Sequence, residues 1–201
     1  MRFLTLYLRS RRAPIALAGA VAVTVLMWTL LSVFSDSPEA DVPMVILTVL
    51  LLVAALTATL GGPDDALEAT AALSWPPRRI AHLLVAFLVV TGLILLTQAT
   101  GARFGPGWLV IRDAAGLLGL TALCAATIGV AKAWFLPLGW TFAAALFPQA
   151  DPLAGRVLTW QAQAPESTAA AVTAGLFAVA GIVAYGVAGP VRRAPAEAAQ
   201  Q

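Results

Sequence analysis

The sequence predicts an all-α, polytopic membrane protein with six transmembrane helices and both termini in the cytoplasm. Three observations lead there. Of 201 residues, 60% are hydrophobic and 11% charged, too few charges to keep a soluble domain of this size in water. Apolar runs of 18 or more residues recur, long enough to cross a hydrocarbon core of ~30 Å. The basic residues also gather on one side of those runs, as the positive-inside rule requires. Residues 1–201 are thus read as a single transmembrane domain. The net charge of +2 says little, because the placement of charge decides orientation.

The opening MRFLTLYLRSRR sets Arg2, Arg9, Arg11 and Arg12 among Phe3, Leu4, Leu6, Tyr7 and Leu8. That mixture suits a short interfacial helix over 1–12. Residues 13–34 carry no formal charge and read as the first transmembrane helix. A signal peptide would have a shorter apolar core, and Pro38-Glu39-Ala40 makes a poor cleavage site. Asp36, Glu39 and Asp41 follow without a basic residue, which leaves the N-terminus in the cytoplasm and this loop outside. Residues 43–60 return as the second helix. Gly61–Arg79 is then the one long polar break on the basic side.

Residues 80–98 are the third helix, with the single histidine, His82, in its first turn, where it is expected to snorkel toward the headgroups. A turn marked by Gly and Pro at 101–107 leads into the fourth helix, 108–131, with Trp108 at interfacial depth. Lys132 marks a tight cytoplasmic turn. The fifth run, 134–147, is short and interrupted by Pro137 and Gly139. Residues 148–167 are external, and within them 151–164 includes LAGRVLTWQAQA, the pattern of an amphipathic or re-entrant helix. Residues 168–189 form the sixth helix, and 190–201 a cytoplasmic tail. On this plan nine of the twelve basic residues are cytoplasmic: Arg2, Arg9, Arg11, Arg12, Arg78, Arg79, Lys132, Arg192 and Arg193. Ala180-Ala184-Ala188 and Ala115-Gly119 have the spacing of helix contacts. An alanine-rich chain produces such spacings by chance, and no interface is assigned from them.

The sequence offers little for catalysis. One His and one Cys leave no ligand set for zinc, and there is neither a Gly-x-Ser-x-Gly elbow nor a Walker phosphate loop. No catalytic residue, metal site or nucleic-acid partner is expected. Cys124, in an apolar run, reads as a small buried residue. Arg112 and Asp113 are the notable ionisable residues within a span, near the outer end of the fourth helix. Adjacent helical residues point ~100° apart, which makes them poor partners for each other. They either anchor the external interface or face a pathway or interface inside the bundle.

In Gly61–Arg79, Pro63 and Asp64-Asp65 stop the second helix. Asp65-Ala66-Leu67-Glu68 has the spacing of a capping box, and the acids favour the positive end of a new helix dipole. Trp75-Pro76-Pro77 is expected to end that short helix. Its three acids, with no base before Arg78, disfavour anionic lipid and favour a protein groove.

The stretch LEATAALSWPPRRIAHLLVAFLVV resembles the first cytoplasmic loop of ABC-2 type transporter permeases, where a Glu-containing helix and an L-S/T-x-P-x-R-R turn lead into the third span. Glu68, Leu73, Ser74, Pro76, Arg78 and Arg79 occupy those places. The basic N-terminal segment, the six spans and the external region before the last span agree in layout. The resemblance implies the membrane subunit of a transporter in a bacterial inner membrane, paired in the bilayer with an identical or related permease subunit. Its cargo would be a hydrophobic or amphipathic drug, lipid or peptide. A separate cytosolic ABC ATPase subunit would hold ATP and Mg, so this chain would bind no cofactor and would not itself be an enzyme. Residues 64–75 would be the coupling helix, meeting the ATPase through Asp64, Asp65, Leu67, Glu68, Ala71, Leu73 and Trp75. Residues 151–164 would dip back into the membrane and cap the pathway. The alternative is a non-transporting scaffold or accessory protein that recruits a cytosolic partner through the 61–79 loop.

Overall fold

Inside a bilayer, backbone polar groups must be paired within their own segment. The apolar runs do this as helices in the computed structural model, which describes residues 8–9, 11–61, 75–146 and 153–191. Helix α1, Ala13–Phe34, has Pro14 in its first turn, where a missing N–H costs nothing. The hydroxyls of Thr24, Thr29 and Ser32 donate to carbonyls four residues back at 3.0, 2.8 and 2.7 Å, which pairs them within their own helix. One stripe of α1 is buried, Ala16, Ala20, Met27 and Leu31. Ile15, Leu17, Val25, Leu26, Val33 and Phe34 are exposed on its other faces.

Helix α2, Val42–Thr57, is capped by Asp41, whose carboxylate accepts from the Met44 amide at 3.2 Å. A 3-10 turn, Ala58–Leu60, continues it. Helix α3, Trp75–Thr97, corrects an expectation. Trp75-Pro76-Pro77 lies in the first turn of this helix, so α3 starts five residues before position 80. Prolines in a first turn give up N–H groups that have no intrahelical acceptor, so they open a helix as readily as they stop one.

Helix α4, Gly107–Thr127, is the most enclosed of the long helices. It stops short of the expected 131 because Gly129 turns the chain at φ 90, a backbone region that favours glycine. After a 3-10 turn, Val130–Lys132, comes α5, Phe135–Leu146. Its 12 described residues make about 18 Å of helix, and the turn before it extends the apolar stretch to Val130–Leu146. Helix α6, Leu153–Leu158, a 3-10 turn, Trp160–Ala162, and α7, Thr168–Ala188, complete the chain. Among the described residues five helices are long and apolar enough to cross a membrane: α1, α2 with its added turn, α3, α4 and α7. The protein is therefore an all-α, multi-pass membrane protein, and the run expected as a fifth span is a shorter apolar helical stretch, Val130–Leu146, at the edge of the described residues.

The centre of the fold is α4 against α7. A Cβ on Gly119 would run into the Phe177 carbonyl oxygen and lie 2.5 Å from the Ala178 Cα. One on Gly181 would lie 2.6 and 2.7 Å from the carbonyl carbon and Cα of Gly119. The two backbones touch there, as membrane helices do when small residues let them approach and dispersion replaces hydrophobic drive. The contact face of α7 runs through Ala170, Ala174, Gly181 and Tyr185. Ala180 and Ala188, of the alanine spacing seen in sequence, are exposed. Helices α2 and α3 flank α4, and α1 packs on α2. At one end the loops after α1 and α3 join through a parallel bridge: the Ala40 amide donates to the Arg103 carbonyl at 2.8 Å, and the Arg103 amide to the Pro38 carbonyl at 2.7 Å.

Candidate functional site

Polar groups inside an apolar bundle are costly unless paired, so the buried ones locate the places that matter. Apart from threonines such as Thr48, Thr91, Thr121 and Thr173, which bond their own helix, the buried ones among the described residues gather in two clusters, one at each end. The first surrounds Arg11. Arg12 takes a left-handed backbone, φ 55, which breaks the chain from α1, and Arg11 before it is only 2% exposed. Its Nη1 lies 3.4 and 3.5 Å from the Thr59 and Leu60 carbonyl oxygens and 3.3 Å from the Tyr185 hydroxyl. That hydroxyl in turn donates to the Leu60 carbonyl at 2.6 Å. The Thr59 hydroxyl donates to the Leu56 carbonyl at 2.7 Å, so His82 Nε2, 2.9 Å from the Thr59 oxygen, is the donor of that pair. His82 thus faces inward to Thr59 and does not snorkel to the headgroups as expected. The Arg79 guanidinium lies against Gly189, where a Cβ would sit 2.6 Å from each of its terminal nitrogens. Gly189 also has φ 72, so both space and backbone call for glycine.

Four pieces of chain meet here: the residues before α1, the end of α2, the start of α3 and the end of α7. Leu60 and Trp75 stand on either side of residues 62–74. Of the expected partner-binding residues, Asp64, Asp65, Leu67, Glu68, Ala71 and Leu73 lie outside the described residues, as does the expected coupling helix up to Ser74. Trp75 is described, half-buried at the start of α3, with the Arg78 guanidinium 5.7 Å from its ring centroid. Residues 1–7 of the expected interfacial helix and residues 192–201 of the expected tail also lie outside.

The second cluster centres on Arg112. Arg112 and Asp113 are 3% and 0% exposed, so both sit inside the bundle and neither is an interfacial anchor. They also pair, Arg112 Nε to Asp113 Oδ1 at 2.9 Å. The ~100° between neighbouring residues separates Cβ directions, and the long Arg112 side chain folds back across that angle. Its Nη1 donates to the Ala164 carbonyl at 3.0 Å, and its Nη2 to the Gln161 and Gln163 carbonyls, both at 3.1 Å. Arg112 thereby clamps the C-terminal end of the 153–164 segment. That segment tucks into the bundle: Trp160 and Gln161 are fully buried. The Trp160 ring packs on Gly116, where a Cβ would lie 2.8 Å from its Cζ3. Trp140 of α5 donates to the Leu158 carbonyl at 2.7 Å and meets Phe177 edge-on, ring centroids 5.0 Å apart.

Between α3, α4 and α7 an almost wholly apolar groove of about 160 Å³ is lined by Leu83, Phe87, Leu118 and Ile182 over Gly119 and Ala178. Among the described residues no three His, Cys, Asp or Glu side chains gather to hold a metal ion. Cys124 is buried in α4.

No family model, curated protein or solved structure matches the chain. The site therefore rests on its own geometry. Sequence reasoning singled out Arg112, Asp113 and Trp75 but missed Tyr185, Thr59, Trp160 and Gln161. Tyr185 carried a usable signal: it is one of two tyrosines, and a hydroxyl within an apolar span needs a partner.

Proposed function

We propose that the chain is the membrane-spanning permease subunit of an ABC-2 type transporter in a bacterial inner membrane, paired with a second permease subunit, identical or related. A separate cytosolic ABC ATPase subunit holds ATP and Mg and docks on residues 64–75. The cargo is hydrophobic or amphipathic and is exported. The observation that carries this reading is the meeting of chain segments at Arg11. Both feet of the 62–74 loop enter that cluster, through Thr59 and Leu60 on one side and Arg79 and His82 on the other. A partner that displaces the loop moves α2 and α3 directly. Arg11 and Tyr185 pass the displacement to the N-terminal segment and to α7. The buried turn at 159–161 supports the reading from the opposite end, where a pathway cap is expected, and the apolar groove suits a hydrophobic cargo.

The test is purification of the tagged chain from its native membranes in mild detergent. A Walker-motif ATPase should co-purify with ATP hydrolysis stimulated over the free ATPase. Glu68→Arg should abolish both while the chain stays in the membrane. Undiminished association and stimulation in that variant would sink the proposal. Recovery of a cytosolic partner without ATPase activity would transfer the loop to the scaffold alternative.

A further inference from the structure

The groove between α3, α4 and α7 has a volume of about 160 Å³, and none of its lining residues carries a polar side chain. Leu83, Leu84 and Phe87 wall one side and Ile182 the other, with Ala115 and Leu118 of α4 between them. Every lining residue falls within four residues of the middle of its own helix, which is Ala86 in α3, Leu117 in α4 and Ala178 in α7. Four residues of helix rise ~6 Å, whereas the edge of a ~30 Å hydrocarbon core lies ~15 Å from its centre. The groove therefore sits at mid-membrane depth, beyond the reach of headgroup or glycerol. It opens outward at Leu84, which is half-exposed. Leu88 on α3 and Val179 and Val183 on α7, all exposed, carry the lipid-facing surface up to both of its rims.

Depth, chemistry and size together select what fills it. Apolar atoms that lack a neighbour on one side lose dispersion contacts, and a lining without polar side chains offers nothing to a polar guest, so the occupant is hydrocarbon. An apolar cavity of ~150 Å³ accepts one benzene, so about 160 Å³ takes a chain segment of roughly six carbons. One turn of a neighbouring helix, ~5 Å long and ~10 Å across, is far too large. A flexible acyl chain is slim enough, and it is what the continuous lipid-facing rims bring to the opening. We propose that the α3–α4–α7 groove is an acyl-chain site, in which one chain of a bilayer phospholipid lies with its outer carbons against Leu118. The phosphate and glycerol of that lipid stay at the membrane surface, so the site selects by chain and not by headgroup. It rests on the membrane setting and not on the transporter reading. A hydrophobic cargo that used the groove would have to displace the lipid chain first.

Photolabelling of the full chain in phospholipid nanodiscs, with adducts located by mass spectrometry, tests this. The probe is a phospholipid with a diazirine in the last third of one acyl chain. Leu118 is only 5% exposed and Leu117 beside it 0%, but Leu118 lines the groove and Leu117 does not. Leu118 should be labelled along with exposed Leu88, and Leu117 should stay at background. A phospholipid with the diazirine beside the glycerol should leave Leu118 unlabelled. Ala115→Phe fills the groove and should bring Leu118 down to the Leu117 background, while Val25, exposed on α1, keeps its labelling. Leu118 at background in the wild type, with Leu88 and Val183 labelled, overturns the site. That pattern belongs to a groove closed by a side chain of a second copy or by retained cargo. Labelling of Leu118 that persists in Ala115→Phe, or that is equal for the two probes, overturns it as well. The wild-type comparisons, of Leu118 with Leu117 and of one probe with the other, decide the matter without the variant.

Discussion

Arg112→Met keeps the apolar stem of the side chain and removes the guanidinium. The ion pair to Asp113 and the three carbonyl contacts go with it. Interhelical hydrogen bonds in a bilayer average only ~0.6 kcal/mol, so the carbonyl contacts together contribute about 2 kcal/mol. Stranding a fully buried carboxylate is the larger effect, since removing one partner of a buried pair costs ~3–5 kcal/mol. The single variant should therefore lose roughly 5 kcal/mol. Asp113→Leu leaves the guanidinium its three carbonyl partners and should lose about 3 kcal/mol. The double variant, Arg112→Met with Asp113→Leu, has no stranded charge and should lose only the ~2 kcal/mol of carbonyl contacts. It should be more stable than either single variant. Reversible unfolding in mixed micelles, followed by fluorescence of the six tryptophans, measures all three. If the double variant is no more stable than Arg112→Met alone, the pair does not interact as described.

The α4–α7 contact predicts opposite outcomes for two glycines of one helix. Gly181→Ala pushes a methyl group into the Gly119 backbone and should cost ~1–3 kcal/mol, whereas Gly175→Ala, with nothing within 4 Å, should be neutral or gain up to ~1 kcal/mol in the same unfolding measurement. Equal effects at the two sites would count against backbone contact. Tyr185→Phe removes the 2.6 Å bond to the Leu60 carbonyl and should lower stability by ~1 kcal/mol. Limited proteolysis of that variant should also show faster cleavage within 62–74, and an unchanged rate would separate Tyr185 from the loop. In a Cys124→Ala background, Ala71→Cys should react with an impermeant thiol reagent only after permeabilisation. Labelling in intact cells would invert the expected orientation.

The long spans were legible because little else is open to an uncharged run bounded by charge or by Gly-Pro. Residues 13–34 match α1, and the expected 168–189 differs from α7 by one residue. The start of α3 was not legible. Trp75-Pro76-Pro77 carries the chemistry of both a stop and a start, and no local rule shows that it also opens α3. Sequence found Arg112 and Asp113 because charge within a span is rare, but the other partners of Arg112 are carbonyls about fifty residues away, which no local rule reaches. His82 was misplaced for a related reason: its partner Thr59 belongs to a different helix. Gly119 and Gly181 were hidden among many small residues, and only three-dimensional contact separates them from Ala180 and Ala188.

The bridge between residues 38–40 and Arg103 is made by the main chain alone, so no change of side chain short of proline removes it. At the Arg11 end the described ties of the α1–α2 pair to α3 and α7 run through the side chains of Arg11, Tyr185 and His82, while one main-chain bond, from the Val191 amide to the Ala125 carbonyl at 3.0 Å, joins the ends of α7 and α4. The α1–α2 and α3–α4 pairs therefore share a permanent pivot at one end and a releasable catch at the other. With a lever of ~30 Å along the helices, opening by about 10° carries the catch end ~5 Å, close to the pitch of one α-helical turn.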